Sequence, residues 1–436
     1  MAKHVIVISQ DALVFEDLET LRHTPNFSKY WDHSARIEKV RSIYPSLTYP
    51  AHTTMRTGVY PQRHGIVNNE QGTLCEVSSK WEFFNDRVCV PDIFDACKKK
   101  GLSTAAVFWP VTGNHKSVDY LINEYWPQEP GETMRDCFVN SGSSPEVVRK
   151  VIEPNLHLQE NRVHPYCDAF VHACACAMIR EFKPNLLMIH PANIDAYRHQ
   201  TGLFSDLVTH GLHEIDMWLG DIMKAARDAS IFDQTDFFIV SDHGQLNITR
   251  KSAPNVAFRK RGLIETDMQG NIRSYKAFCK STGMSAQVYL KNPASPQERQ
   301  EVHSVLKEMS SGGLYGISRV YTLEEVRQSE KLDGGFSFVI ETDGSTAFIN
   351  DWNGPASVPF LNDNLCLGKG AHGHHPDKGP QPTFFAFGPD MKPASVIKSC
   401  LLVDEAPTFA HALGIHLDDV DGKVIREIFC HDKAGE

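Results

Sequence analysis

The sequence predicts an α/β protein: a three-layer sandwich around a mostly parallel central sheet, with an α+β insertion in its second half. Three observations carry this. Runs rich in Val, Ile, Phe and Leu recur at residues 4–9, 103–110, 185–190 and 236–241. Apolar runs of this length without alternation read as strands buried on both faces of a parallel sheet. An amphipathic helix precedes the last of them: across 205–228, Val208, Leu212, Ile215, Leu219 and Ile222 recur at steps of three and four. After residue 245 the pattern changes to short strands and capped helices, which reads as an inserted cap over 246–365, leaving 1–245 and 366–436 as the core.

In chain order, 4–9 is the first strand and 24–35 a short helix with Pro25 near its start. A β-like run over 37–43 leads through Pro45, Ser46 and Leu47 to Thr48, and the residues after Thr48 suit a helix as far as Gly58. Residues 92–100 form a helix stopped by Gly101, and 103–110 a strand. Residues 111–127 read as a loop carrying Tyr120, Tyr125 and Trp126. The helix expected over 163–182 carries Ala169, Ala173, Ala175 and Ala177, small enough to let it lie close to a sheet. The strand at 236–241 delivers Asp242 and His243. Within the insertion, 286–290 is a short strand. Ser295-Pro296-Gln297-Glu298 is a helix start with a capping box and proline at the first helical position, and Thr322 with Glu325 marks another. Residues 336–342 and 346–351 read as a hairpin across Asp343-Gly344-Ser345. The core resumes at Gly368, with a strand at 383–389 and a closing helix over 406–413.

Composition narrows the function. The chain has 436 residues, enough for two or three domains or one α/β core with an insertion, and 41% are hydrophobic, enough for a sizeable core. A net charge of −10 argues against a nucleic acid polymer as partner, which needs clustered Lys and Arg. It leaves room for a small phosphorylated substrate held by metals. No run approaches the ~18 apolar residues of a membrane span, and the first apolar stretch is too short for a signal peptide. The 11 cysteines have no regular spacing and read as reduced thiols. These features point to a cytoplasmic protein. Cys174 and Cys176, two apart on a helix, point to different faces and do not suit one metal. Nothing in the sequence specifies an oligomeric state.

The chemistry centres on Thr48. Between a strand end and a helix start, its hydroxyl lies where unpaired backbone N–H groups favour anions. A free hydroxyl is a poor nucleophile at neutral pH, and metal coordination is one way to activate it. Candidate ligands are spread along the chain: Asp11 after the first strand, Asp195 and His199 one helical turn apart, Asp242 and His243 at a strand end, and His372 in a histidine-rich loop. An all-Asp/His set suits two Zn²⁺-type ions, or Mn²⁺, better than Mg²⁺, which prefers oxygen.

Thr48 in PSLTYPAH, the tail TGVYPQRHGIVNN, Asp195-x-x-x-His199, Asp242-His243-Gly244 and His372-Gly373 together resemble the nucleotide pyrophosphatase/phosphodiesterase branch of the alkaline phosphatase superfamily. VDEAPTFAHALGI looks like that superfamily's closing helix. The resemblance implies an alkaline phosphatase-like core and a phosphoester hydrolase of phosphodiesterase or nucleotide pyrophosphatase type. It implies a phosphothreonine on Thr48, formed at a metal held by Asp11, Asp242 and His243. A second metal, held by Asp195, His199 and His372, activates the water that cleaves it. His372 is the ligand of its loop because it alone there precedes a glycine. The resemblance further assigns Asn69 as a donor to a phosphate oxygen and Tyr49 as an aromatic that stacks on a nucleobase, and it puts Trp109-Pro110 near the substrate. Ala12 stands where the family often has glycine. A phosphonoacetate hydrolase-like enzyme would share the ligands but needs lysines after the strand ending near 109, where Lys116 is the only one before Tyr120. A phosphomonoesterase is the next alternative on this scaffold; a sulfatase needs a Cys or Ser nucleophile. A silent binding protein would have lost a ligand, and the set is intact. The cap is expected to carry much of the specificity.

Overall fold

The computed structural model describes residues 2–359 and 369–431. An eight-stranded sheet forms the middle layer. Its strands are β1 (His4–Ser9), β2 (Ala35–Ile37), β3 (Thr104–Val107), β4 (Tyr120–Ile122), β5 (Leu186–Ile189), β6 (Thr235–Val240), β7 (Phe384–Phe387) and β8 (Ser395–Ile397). The spatial order is β8-β2-β7-β6-β1-β5-β3-β4. Every neighbouring pair is parallel except those of β7, which runs antiparallel to β2 and β6.

Alternation along the strands explains the unbroken apolar runs, because successive side chains enter different cores. Ile6, Ile8, Leu187, Ile189, Phe237 and Ile239 belong to one core, with the Tyr166–Phe182 and Asp206–Asp228 helices. Val5, Val7, Leu186, Met188, Phe238 and Val240 belong to the other, with Ala51 and Met55 of the Thr48–Thr57 helix and Phe409 of the Glu405–Ala412 helix. Fully burying each such side chain contributes roughly 1.5–3 kcal/mol, so both layers are held firmly to the sheet. The Asp206–Asp228 helix is capped by Ser205, whose hydroxyl accepts from the Val208 N–H, and it buries the five residues whose spacing predicted it.

Register decides where the chemistry sits. Ile8 of β1 pairs with Ile189 of β5 and Ile239 of β6, so the three central strands end at one level. Asp11, His190, Asp242 and His243 follow these ends and emerge together at the carboxyl edge, the usual ligand side of such sheets.

The segment after β6 builds a separate four-stranded antiparallel sheet in the order Ala277–Ser281, Ser285–Leu290, Phe338–Thr342, Ile317–Thr322. The Pro296–Ser311 helix covers it with Val302, Val305, Leu306 and Met309, over Phe278, Val288 and Ile340. Ser295 and Thr322 cap their helices, and Thr322 with Glu325 forms a full capping box.

Several local expectations are corrected. Phe338–Thr342 and Thr346–Phe348 do not form a hairpin. The first has both edges occupied by Ser285–Leu290 and Ile317–Thr322, and the second pairs parallel with Arg250–Ser252 in another sheet. Residues 24–35 give only a short helix, Phe27–Tyr30, and a 3₁₀ turn, and Ala35 already belongs to β2. The loop expected over 111–127 contains the edge strand β4, paired with β3. Gly368 and the expected boundary at 365/366 lie outside the described residues.

Candidate active site

Leu47 is extended, and the helix begins at Thr48. Thr48 Oγ1 lies 3.2 Å from His243 Nε2. The next N–H of the helix, that of Tyr49, donates to Asn69 Oδ1 at 2.9 Å. Asn69 therefore caps the helix with its carbonyl and keeps its NH₂ end for a further acceptor.

The six expected ligands assemble into two groups. In one, donor atoms of Asp11, Asp242 and His243 lie within 4.8 Å of one another; in the other, those of Asp195, His199 and His372 do. His243 Nε2 is 3.4 Å from Asp11 Oδ1 and 3.3 Å from Asp242 Oδ2. His199 Nε2 is 3.3 Å from Asp195 Oδ2, and His372 Nε2 is 3.7 Å from Asp195 Oδ1. The first group is buried, whereas the Asp195 and His199 side chains are 16% and 24% exposed, so the second opens toward solvent.

Most of these side chains are held from behind. The Ala12 N–H donates to Asp242 Oδ1, and Gln245 Nε2 donates to Asp195 Oδ1. His199 Nδ1 faces the Gly370 carbonyl at 2.7 Å and His372 Nδ1 the Ser46 carbonyl at 3.2 Å. A carbonyl only accepts, so Nδ1 carries a proton in both rings and Nε2 is the nitrogen a metal would take in the neutral ring. Without a metal, against the pull of burial, the Asp195 carboxylate raises His199 above its ordinary value. Asp11 Oδ1 and Asp242 Oδ2 are buried without a hydrogen bond. Unpaired buried carboxylate oxygens are costly unless a cation compensates them, so the donor set fits divalent metal ions.

The electrostatics agree. Burial and the nearby Asp195 charge push Asp11 up to about 7, and burial with Asp11 pushes Asp242 well above the usual carboxylate range. Against the pull of burial, His199 and His372 hold Asp195 below it. Burial takes His372 down to about 4 and, with His372 beside it, His243 well below the ordinary imidazole value.

Glycine explains how His372 reaches the site. Gly373 has φ of +90°, and a Cβ there would collide with the Thr282 carbonyl. The loop is pinned between layers: the Gly373 N–H donates to the Ser46 carbonyl, and the Met284 N–H to the His372 carbonyl, both at 2.8 Å.

Two expectations change. Tyr49 is fully buried, edge-on to Trp81 at 5.1 Å and to Phe83 at 6.5 Å, and offers no open face for a base. Trp109 is also fully buried; its indole N–H donates to the His52 carbonyl, so it supports the site from behind.

Sequence reasoning missed four residues. Gln245 holds Asp195. His52, one turn after Thr48, has Nδ1 2.8 Å from the Thr48 carbonyl and 3.5 Å from Asp242 Oδ2. His190, at the end of β5, and Glu124, just beyond β4, meet behind Asp11. A signal existed for His190, a titratable residue closing an apolar strand run; none marked Glu124.

Comparison with known proteins gives concordant results. The family model for type I phosphodiesterases/nucleotide pyrophosphatases matches residues 5–374. Ectonucleotide pyrophosphatase/phosphodiesterase family member 1 from Homo sapiens is 21% identical over 226 residues, 50% of this chain and 21% of that protein. Ectonucleotide pyrophosphatase/phosphodiesterase 2 from Saccharomyces cerevisiae is 23% identical over 257 residues, 58% of this chain and 48% of that protein. The chain thus matches half or less of the length of these relatives. In fold it is similar to murine ectonucleotide pyrophosphatase/phosphodiesterase 5, solved as an inactive variant in complex with AMP: TM-score 0.68 at 17% identity, covering 98% of this chain and 99% of that one. With a family model matched over residues 5–374, the chain belongs to the type I phosphodiesterase/nucleotide pyrophosphatase family of hydrolases.

Proposed function

We propose that this protein hydrolyses small phosphodiester or pyrophosphate substrates through a covalent phosphothreonine on Thr48. The observation that carries the reading is the position of Thr48 Oγ1 at a helix start, 3.2 Å from His243 Nε2. Asp11, Asp242 and His243 would hold one divalent ion and Asp195, His199 and His372 another, Zn²⁺ by the chemistry of the donors with Mn²⁺ the next fit, supplying Lewis acidity at the attacking and leaving oxygens when bound. Thr48 Oγ1, its proton passing to solvent, forms a bond to phosphorus as the bond to the leaving oxygen breaks in line, and that oxygen departs with the electron pair. Water then cleaves the Oγ1–P bond and restores the hydroxyl. The Asn69 NH₂ donates to a nonbridging phosphate oxygen through both steps.

The sheet built from residues 277–342 serves as a cap within the insertion 246–365, with the core on either side, and it tunes which substrates enter. The AMP complex of the murine neighbour supports a nucleotide-type substrate. Ten free cysteines among the described residues support a reducing compartment such as the cytoplasm, and no described helix is long and apolar enough to cross a membrane.

Trapping tests the reading. Native enzyme turning over bis-p-nitrophenyl phosphate with zinc, quenched in acid, should carry a p-nitrophenyl phosphoryl adduct on the peptide containing Thr48. A peptide that stays unmodified through a measurable pre-steady-state burst rejects the covalent route.

A further inference from the structure

We propose that Glu124 and His190 are positioning residues for Asp11, and that they set the metal affinity of the buried donor group without touching the open one. The inference rests on the two-ion reading above. His190 follows β5 and is almost wholly buried. Its Nε2 lies 3.1 Å from Asp11 Oδ2, and its Nδ1 lies 3.5 Å from Glu124 Oε2. Nε2 is within hydrogen-bond reach of Asp11, whereas Nδ1 and Glu124 Oε2 face each other as an ion-pair contact, each buried without a hydrogen bond. The Asp11 carboxylate is thereby divided: Oδ2 is taken by His190, while Oδ1 is left without a hydrogen bond, 3.4 Å from His243 Nε2.

The fold fixes this arm along the carboxyl edge of adjacent strands. Glu124 comes from just beyond β4, His190 from the end of β5 and Asp11 from beyond β1. The His190 N–H donates to the Val107 carbonyl at the end of β3, at 3.1 Å. From the other side the His52 ring stands 4.2 Å from the His190 ring at 63°. His190 therefore has little freedom to turn, and Asp11 inherits that restraint. The open group has different supports: Gln245 on Asp195, the Gly370 carbonyl on His199 and the Ser46 carbonyl on His372. The two groups meet through the His372–His243 ring stack and through the Asp195 charge felt at Asp11, and His190 lies in neither contact.

Removing the outer partner of a metal ligand typically weakens binding about 10–100-fold. The full-length chain, stripped with a chelator, is titrated with Zn²⁺ by calorimetry as native protein, His190→Ala, His190→Gln and Glu124→Gln. Each is repeated in an Asp195→Ala background, where the buried group alone keeps its ligands. His190→Ala should weaken one of two sites by about 10–100-fold and leave the other within about twofold, and the same loss should appear on the single site of the Asp195→Ala series. His190→Gln, which keeps an N–H donor, should recover part of it, and Glu124→Gln should lose less than His190→Ala. Melting of the stripped proteins reports folding separately. If native protein binds two zinc ions and His190→Ala leaves both affinities unchanged, or lowers both alike with the melting temperature, the positioning role is wrong. Fewer than two zinc ions on native protein overturns the two-ion reading itself, and this inference with it.

Discussion

The rings of His243 and His372 stack face to face, 3.9 Å between centroids at 14°, and join the two donor groups into one site. His243 comes from the end of a central strand, His372 from a loop pinned against the second sheet. The stack therefore lies where the central sheet, the loop pinned to Met284 beside the second sheet and the start of the Thr48 helix meet.

Chelation is the broadest test. Dialysis against a chelator should abolish phosphodiesterase activity, and Zn²⁺ should restore it best, Mn²⁺ partly and Mg²⁺ least, because the site mixes imidazole with carboxylate. Restored enzyme should contain two ions per chain by elemental analysis. Activity that survives complete metal removal contradicts the proposal.

Asp11 gives the metal-free protein a pH signature. Its folded value, about 7, lies above its unfolded one. The folded state therefore holds the proton more tightly, and this contribution is full below the unfolded value and lost as pH rises through about 7. Asp11→Asn removes that titration. Measured by denaturant unfolding of metal-free protein, Asn at 11 should gain on native protein between pH 4 and 7.5 by an amount on the order of a few kcal/mol. A difference that stays flat with pH means that Asp11 titrates normally.

Asn69 separates capping from phosphate binding. Asn69→Asp keeps an acceptor for the Tyr49 N–H but loses the donor, so melting should change little while kcat falls about 100-fold or more, as for an oxyanion donor. Asn69→Ala loses both and should also lose about 1 kcal/mol of stability. Native-like kcat in both variants, with only a stability difference between them, assigns Asn69 to capping alone.

Gly373 tests the loop that delivers His372. Alanine there must adopt φ of +90° and push into the Thr282 carbonyl. Gly373→Ala should weaken zinc at the Asp195 group and spare the Asp11 group, seen as one displaced step in a zinc titration. If both steps hold, the loop tolerates the change and the close approach does not position His372.

These tests also show what was legible in the sequence. Asp11, Asp242 and His243 were readable because parallel strands buried on both faces leave long apolar runs, and a polar residue ending such a run has one destination, the carboxyl edge. Asp195 and His199 announced themselves by helical spacing. Gln245, His52 and Glu124 did not, because their roles come from three-dimensional register between distant strands. Tyr49 misled for a related reason: its place beside Thr48 along the chain says nothing about which way its ring turns, and Trp81 and Phe83 cover it. The hairpin failed because a tight turn fixes where the chain reverses, whereas strand pairing depends on which edges are free.

Thr48 is the decisive residue. Thr48→Ala removes the nucleophile but leaves all six donor groups, so zinc content should change little. Hydrolysis of the best diester should fall by several orders of magnitude, the scale seen when a covalent nucleophile is deleted. Thr48→Ser keeps the hydroxyl and should retain a measurable fraction. Loss of the γ-methyl from this buried position frees the χ1 rotor, so part of the rate should be lost through misplacement of Oγ. Steady-state kinetics with zinc held in excess separate these effects from metal loss. Near-native turnover by Thr48→Ala means that water attacks phosphorus directly. A dead Thr48→Ser beside an adduct-forming native enzyme means that rotamer restraint, more than the hydroxyl itself, sets the rate.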